Sequence, residues 1–248
     1  GRGSFASGDG LVTVEIDLSK FALEYETSVL KLEHLTPHQR AKLAECTGVQ
    51  RVHIKAPAGA GKTYVAMHEM LAELQTASGT LLLFVAKNAA LCFFVVRWLC
   101  ARVIKTKRKA LLARLHVLFA PLEDGPRACI VKSERIVMET IKSKHAYSML
   151  VVDEAHHMYR DRKASELIGA IARAASSTRL ILLSDISQSF GSDVDYPPDL
   201  VDVNLAEVVR CSRRIVQAAA SFQIGGATKV STQCHHKSDG PPLMTYLF

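Results

Sequence analysis

At 248 residues, with 48% hydrophobic and 22% charged side chains, the chain is long enough to bury a core and too apolar to be disordered. Only 6% of residues are aromatic, so that core must be aliphatic. The net charge of +7 and pI near 9.1 favour polyanionic partners such as nucleic acid.

Six cysteines (Cys46, Cys92, Cys100, Cys129, Cys211 and Cys234) show no CxxC spacing, and several sit in apolar runs. This excludes a disulfide framework and points to an intracellular protein, nuclear or cytoplasmic. No apolar run reaches the roughly 18 residues of a membrane span. The start Gly1-Arg2-Gly3-Ser4 lacks an initiating Met and reads as the beginning of a segment of a longer protein, with further domains implied. Oligomeric state is left open.

In chain order, residues 1–10 are rich in Gly and Ser, and residues 11–18 alternate as a strand does. Residues 21–32 are mixed and take no clear assignment. Leu35-Thr36-Pro37-His38-Gln39 reads as a helix start, with Thr36 as cap and Pro37 in the first turn. The Gln39 amide, donor and acceptor together, can face an adenine edge.

Val52-His53-Ile54-Lys55 then leads into Ala56-Pro57-Ala58-Gly59-Ala60-Gly61-Lys62-Thr63, and a helical pattern follows. Strand, small-residue loop and helix form the phosphate-binding pattern, with Ala56 where its first Gly normally stands. Gly59 and Gly61 let the backbone N–H groups of Ala58, Ala60 and their neighbours curl inward onto phosphate oxygens. Lys62 can reach the β- and γ-phosphates, and Thr63 can offer a hydroxyl to Mg²⁺.

Residues 80–86 form a continuous apolar run, a strand buried on both faces. Lys87 and Asn88 follow, then a helix over 91–103 with Phe93, Phe94, Trp98 and Leu99 on its expected buried face. Lys105, Lys107, Arg108 and Lys109 cluster next; they are either a solvated helix face or contacts to a phosphate backbone. Residues 116–119 and 128–131 read as short strands, and 133–141 as a helix.

Residues 148–152 form an apolar strand that delivers Asp153 and Glu154 at its end, followed by Ala155 and His156. Ligands bind at that end of open α/β sheets. Asp153 suits Mg²⁺, mostly through water, and Glu154 suits a base for an attacking water. A helix over 165–175 and a buried strand over 179–183 lead to Ser184-Asp185-Ile186-Ser187-Gln188, where Gln188 can bond a γ-phosphate. Residues 200–205 alternate as a last strand, and Arg210-Cys211-Ser212-Arg213-Arg214 opens a helix through Ser221. Cys234-His235-His236 offers metal ligands without a second pair.

Taken in order, these motifs resemble the first RecA-like domain of a superfamily-1 helicase, most of all the Schlafen-type and related bacterial helicase-like NTPases. The resemblance spans residues 35–222. It sets the adenine-reading Gln motif at Gln39, motif I at 56–63, motif Ia at 86–90, motif II at 153–156, motif III at 184–188 and motif IV at 205–212. It implies a γ-phosphate contact from Arg210. Val209 stands where the family often has an adenine-stacking Tyr, and Ser184 where it usually has Gly. Motifs V and VI lie beyond the chain.

The expected architecture is an α/β, RecA-like P-loop NTPase domain, a mainly parallel central sheet with helices on both faces. Its expected bounds are 35–208, between an N-terminal extension (1–34) and the start of a second domain (209–248). The expected activity is hydrolysis of ATP with Mg²⁺, coupled in a longer protein to single-stranded DNA or RNA; a nucleotide-gated scaffold is the alternative. Lys62, Glu154, Gln188 and Arg210 are the expected catalytic residues, and no membrane partner is expected.

Overall fold

The computed structural model describes residues 30, 34–76, 79–132, 135–175, 177–185, 194–221 and 232–240. The chain divides into two compact units, Gly1–His34 and Leu35–Phe248. The strand expected over 11–18 and Gln188 fall outside the described residues.

The second unit begins with α1 (Pro37–Cys46). Thr36 caps it: its side chain accepts from the Gln39 N–H while the Gln39 side chain accepts from the Thr36 N–H, a reciprocal capping box with Pro37 in the first turn. Next come β1 (Arg51–Ala56), α2 (Lys62–Thr76), β2 (Leu82–Val85), α3 (Ala89–Ala101), α4 (Lys105–Leu112) and β3 (Leu115–Leu118). After these come β4 (Arg127–Lys132), β5 (Arg135–Thr140), β6 (Met149–Val152), α5 (Ala155–Met158), α6 (Arg162–Arg173), β7 (Arg179–Asp185) and β8 (Val201–Asn204). Last are β9 (Glu207–Val208), α7 (Arg213–Ser221) and β10 (Gln233–Cys234).

Eight strands build one sheet in the order β5-β4-β3-β2-β6-β7-β1-β8. All pairs from β3 to β8 are parallel, while β4 runs antiparallel to both β3 and β5. The central strands are apolar on both faces, as a sheet covered by helices on each side requires. One core layer joins β2, β6 and β7 to α5 and α6 through Leu83, Val85, Leu150, Val152, Leu182 and Ile168. Trp98 and Leu99 of α3 are fully buried. The mostly parallel sheet with its helices is the architecture expected from the sequence.

The structure corrects two expectations. Residues 135–140 are strand β5, not helix: each of the six pairs with a residue of β4 in a hairpin. Ile136 and Val137 are β-branched and stiff, which favours a pleated edge over a helix once a partner strand is adjacent. Phe93, expected inside, is 42% exposed, because the buried face of α3 passes through Cys92, Val95, Val96 and Leu99 instead.

One ionic network fixes the base of α1. Arg179 at the start of β7 pairs with Glu69 of α2 at 2.5 Å and donates to the carbonyls of Cys46 and Val49 at 2.6 and 2.9 Å. Thr47 donates to the other Glu69 oxygen at 2.9 Å.

Candidate active site

The register of β6, β7 and β1 brings three chain segments together at their C-terminal ends. Ala56, the last residue of β1, lies opposite Asp185, the last of β7. The Asp153 N–H, just past β6, donates to the Val85 carbonyl of β2 at 2.8 Å. The strand order places β7 between β6 and β1, so Asp185 stands between the acidic pair and the loop 57–61.

That loop needs its glycines. Gly59 and Gly61 have φ of +80° and +88°, where a Cβ is strained. A Cβ on Gly59 would meet the Arg210 Cβ at 3.0 Å, and one on Gly61 would collide with the Gln39 amide nitrogen. Ala60 is buried and Ala58 exposed. The Gln39 amide is 3% exposed and donates to the Ala60 carbonyl at 3.0 Å, so α1 braces the loop directly. Its oxygen is engaged by the Thr36 N–H. One N–H and one lone pair remain for a base edge.

Lys62 and Thr63 open α2, where the positive end of the helix dipole lies. The Lys62 ammonium is nearly buried, 3.8 Å from the Asp185 carboxylate. The Thr63 hydroxyl donates to Asp153 at 3.1 Å. Burial raises the Asp153 pKa, opposed by the Glu154 N–H, the charge of Lys62 and the Thr63 hydroxyl. Hydroxyl and carboxylate together are hard oxygen donors of the kind Mg²⁺ takes, beside a cation suited to phosphate; the residues present fit a Mg²⁺–nucleotide.

Glu154 adopts a left-handed conformation, φ 50°, rare for a side chain of its size. Its N–H donates to the Asp153 carboxylate at 2.9 Å. Burial first, then the neighbouring Asp153 charge, raises its pKa. The carboxylate lies 3.3 Å from the fully buried His156 Nε2, without the alignment of a hydrogen bond. His156 Nδ1 accepts from the Asp185 N–H at 3.3 Å, and burial lowers this imidazole to about 4. The proton of the neutral ring therefore sits on Nε2 and faces Glu154. Glu154, His156 and His157 bring ligand atoms within 4.8 Å, but that tautomer presents a proton there instead of a metal-binding lone pair.

Arg210 is drawn to the phosphate loop: its N–H and that of Val209 both reach the Gly59 carbonyl, at 3.3 and 3.0 Å. Lys87 is exposed at the C-terminal end of β2, and the exposed Asn88 caps α3 with its side-chain oxygen. The basic cluster lies elsewhere. Helix α3, about 20 Å long, carries the chain to the opposite edge of the sheet, where α4 precedes the start of β3. Lys105, Lys107 and Lys109 are exposed there, while Arg108 donates to the carbonyls of Cys100 and Val103. Cys234, His235 and His236 each bind a different partner, at Cys211, Glu207 and Val209, and form no shared ligand set.

The sequence reading missed the Lys62–Asp185 pair and the bridge from His156 to β7. The signal for the second was the fourth position of Asp153-Glu154-Ala155-His156. A buried chain on the other side of β7 was also missed: His53 Nε2 meets the Ser184 hydroxyl at 2.8 Å, and Ser184 meets the Tyr196 hydroxyl at 3.2 Å.

Phosphate loop, paired acids and parallel sheet define the class of helicase-like P-loop domains. The family model for DEAD/DEAH box helicases matches residues 36–184, and the chain belongs to that family. No curated protein matches it. Among solved structures it is similar to the Hef helicase domain of Pyrococcus furiosus, at 17% identity and TM-score 0.41, over 67% of this chain and 38% of that one. It is also similar to the large terminase of bacteriophage HK97, at 14% identity and TM-score 0.45, over 81% and 45%. The chain spans less than half the length of either.

Proposed function

We propose that this chain binds ATP with Mg²⁺ and that a longer protein containing it couples hydrolysis to single-stranded DNA or RNA. The observation that carries this reading is the Thr63–Asp153 contact of 3.1 Å beside Lys62 and Glu154. Ala58, Gly59, Ala60 and Gly61 cradle the phosphates, and Gln39 serves the base. Asp153 and Thr63 hold Mg²⁺, which on binding neutralises phosphate charge. Glu154 accepts the proton of the attacking water, Lys62 and Arg210 contact phosphate oxygens, and Gln188 senses the γ-phosphate. The motif order favours a superfamily-1, Schlafen-type relative within the wider helicase class. Family members of this kind close two domains on ATP, so this chain by itself turns over slowly.

The test is nucleotide binding by the chain, with ATP, ADP and GTP plus Mg²⁺, beside Lys62→Ala. Binding that disappears in the variant supports the reading, and preference for ATP over GTP supports Gln39 as base reader. Binding that survives Lys62→Ala overturns the phosphate site. Tight ATP binding with no turnover, even in a longer protein with nucleic acid added, favours the nucleotide-gated scaffold.

A further inference from the structure

A cleft of about 430 Å³ opens at the end of the sheet away from the nucleotide edge. Its floor is Leu180 of β7, whose register partner Arg51 is the first residue of β1. The Ala56–Asp185 pair stands five residues further along both strands, about 17 Å away. Helix α6 forms one wall through Ser165, Gly169 and Arg173, and the segment 195–198 forms another. A cleft of this size, lined by apolar and aromatic groups with a few polar ones, is what a small ligand needs.

The polar groups say which ligand. Tyr159 lines the cleft and is 8% exposed, and its buried hydroxyl has no hydrogen-bond partner among the described residues. The neighbouring Tyr196, 5.5 Å away ring to ring, has its hydroxyl on Ser184. Burial pushes the Tyr159 phenol up to about 12, so it is a donor at neutral pH. A buried O–H without a partner is costly, and an acceptor brought by a ligand would satisfy this one. The charge of Arg51 acts on the same hydroxyl. Arg51 gives one of its five N–H groups to the Pro198 carbonyl at 3.0 Å, which fixes the guanidinium and leaves other donors. Arg173 folds back over Gly169, where a Cβ would meet its Nη1 at 3.0 Å. Against these two cations the cleft sets one carboxylate, the exposed Asp195, so its lining carries a net charge of +1.

We propose that this cleft binds a small organic acid, a single carboxylate on a flat aromatic body. The carboxylate accepts from the Tyr159 hydroxyl and from Arg51, a charge-assisted contact, and Arg173 adds to the positive field. The aromatic body lies against the tyrosine rings and the apolar surface of Pro197 and Pro198. A net charge of +1 matches a monoanion better than a doubly charged phosphate. The site is separate from the proposed nucleotide site and does not depend on it.

The experiment is isothermal titration calorimetry of the full chain with 2-naphthoate, beside its neutral analogue 2-naphthamide. Naphthoate should bind with a Kd of about a millimolar or tighter, and the amide at least about tenfold more weakly. Arg51→Met should weaken naphthoate by about tenfold or more and erase the preference over the amide. Tyr159→Phe should weaken naphthoate about threefold or more while the melting temperature holds or rises, because its hydroxyl serves no contact in the fold. Gly169→Leu should abolish binding without lowering the melting temperature, since its side chain enters the cleft and Leu favours the helix. Lys62→Ala should leave naphthoate binding unchanged, so failure of the nucleotide reading is seen separately. No heat of binding up to about 5 mM naphthoate, equal affinity for acid and amide, or wild-type affinity in Tyr159→Phe and Gly169→Leu overturns the proposal. So does a chain that ignores naphthoate yet binds a peptide through its free C-terminal carboxylate, which would make the cleft a protein-docking site.

Discussion

Glu154 is held in the left-handed region between Asp153 and His156, and its raised pKa has a kinetic consequence. In the proposed role of base Glu154 must be deprotonated to act, so turnover should fall with falling pH at a higher pH than an ordinary Glu would give. Glu154→Gln should keep ATP binding and lose hydrolysis by about 10²–10⁴-fold, with the acid limb gone from the residual rate. Gly61→Ala should lose nucleotide affinity and melt earlier, since a side chain at φ +88° costs about 1 kcal/mol and displaces Gln39. His53 is a stability residue. Burial lowers it to about 4 against 6.5 unfolded, so the unfolded chain takes up a proton first as pH falls. Its neutral form contributes stability above pH 6.5, and that contribution drains away between there and about 4. Unfolding free energies from urea titrations at pH 7 and 5 should therefore diverge more in the wild type than in His53→Gln, by on the order of 1 kcal/mol. Equal divergence would remove His53 as the cause.

At the level of elements, the Arg179–Glu69 pair locks α1 to α2 and β7. Glu69 is 5% exposed, so Arg179→Met leaves a buried carboxylate without its cation and should cost roughly 3 kcal/mol in urea unfolding. Adding Glu69→Leu should recover part of that loss, since the stranded charge is then gone. This clamp was invisible in the sequence, where 110 residues separate its partners. What was legible had local causes. Thr36 and Pro37 announced α1 through capping chemistry, and the continuous apolar runs ending at Val85, Val152 and Leu183 announced strands buried on both faces. Strand β5 was misread because its pairing with β4 is decided across the hairpin, and a six-residue edge segment carries too short a pattern to separate the two periods. Phe93 was misplaced for the opposite reason: an almost wholly apolar helix does not reveal which stripe faces out. The site was legible as motifs; the contacts of Lys62 with Asp185 and of His156 with the Asp185 N–H depend on strand order, which residue spacing does not encode.

For the whole molecule, ligand linkage gives a direct expectation. At ATP–Mg²⁺ a hundredfold above its Kd, the unfolding free energy should rise by about 2.7 kcal/mol, and Lys62→Ala should show no such rise in a thermal melt. A rise of equal size in the variant would place the nucleotide elsewhere. The two N–H groups of Val209 and Arg210 on the Gly59 carbonyl have a mechanical side as well. They lie just after β8, the last strand of the sheet, where the chain moves off toward α7. A pull transmitted through that exit loads two hydrogen bonds at the loop before it shears the four register pairs holding β8 to β1. Tension would therefore loosen the loop of the proposed phosphate site while the sheet stayed whole, making this short strap the weak link through which force, and not only chemistry, would act on that site.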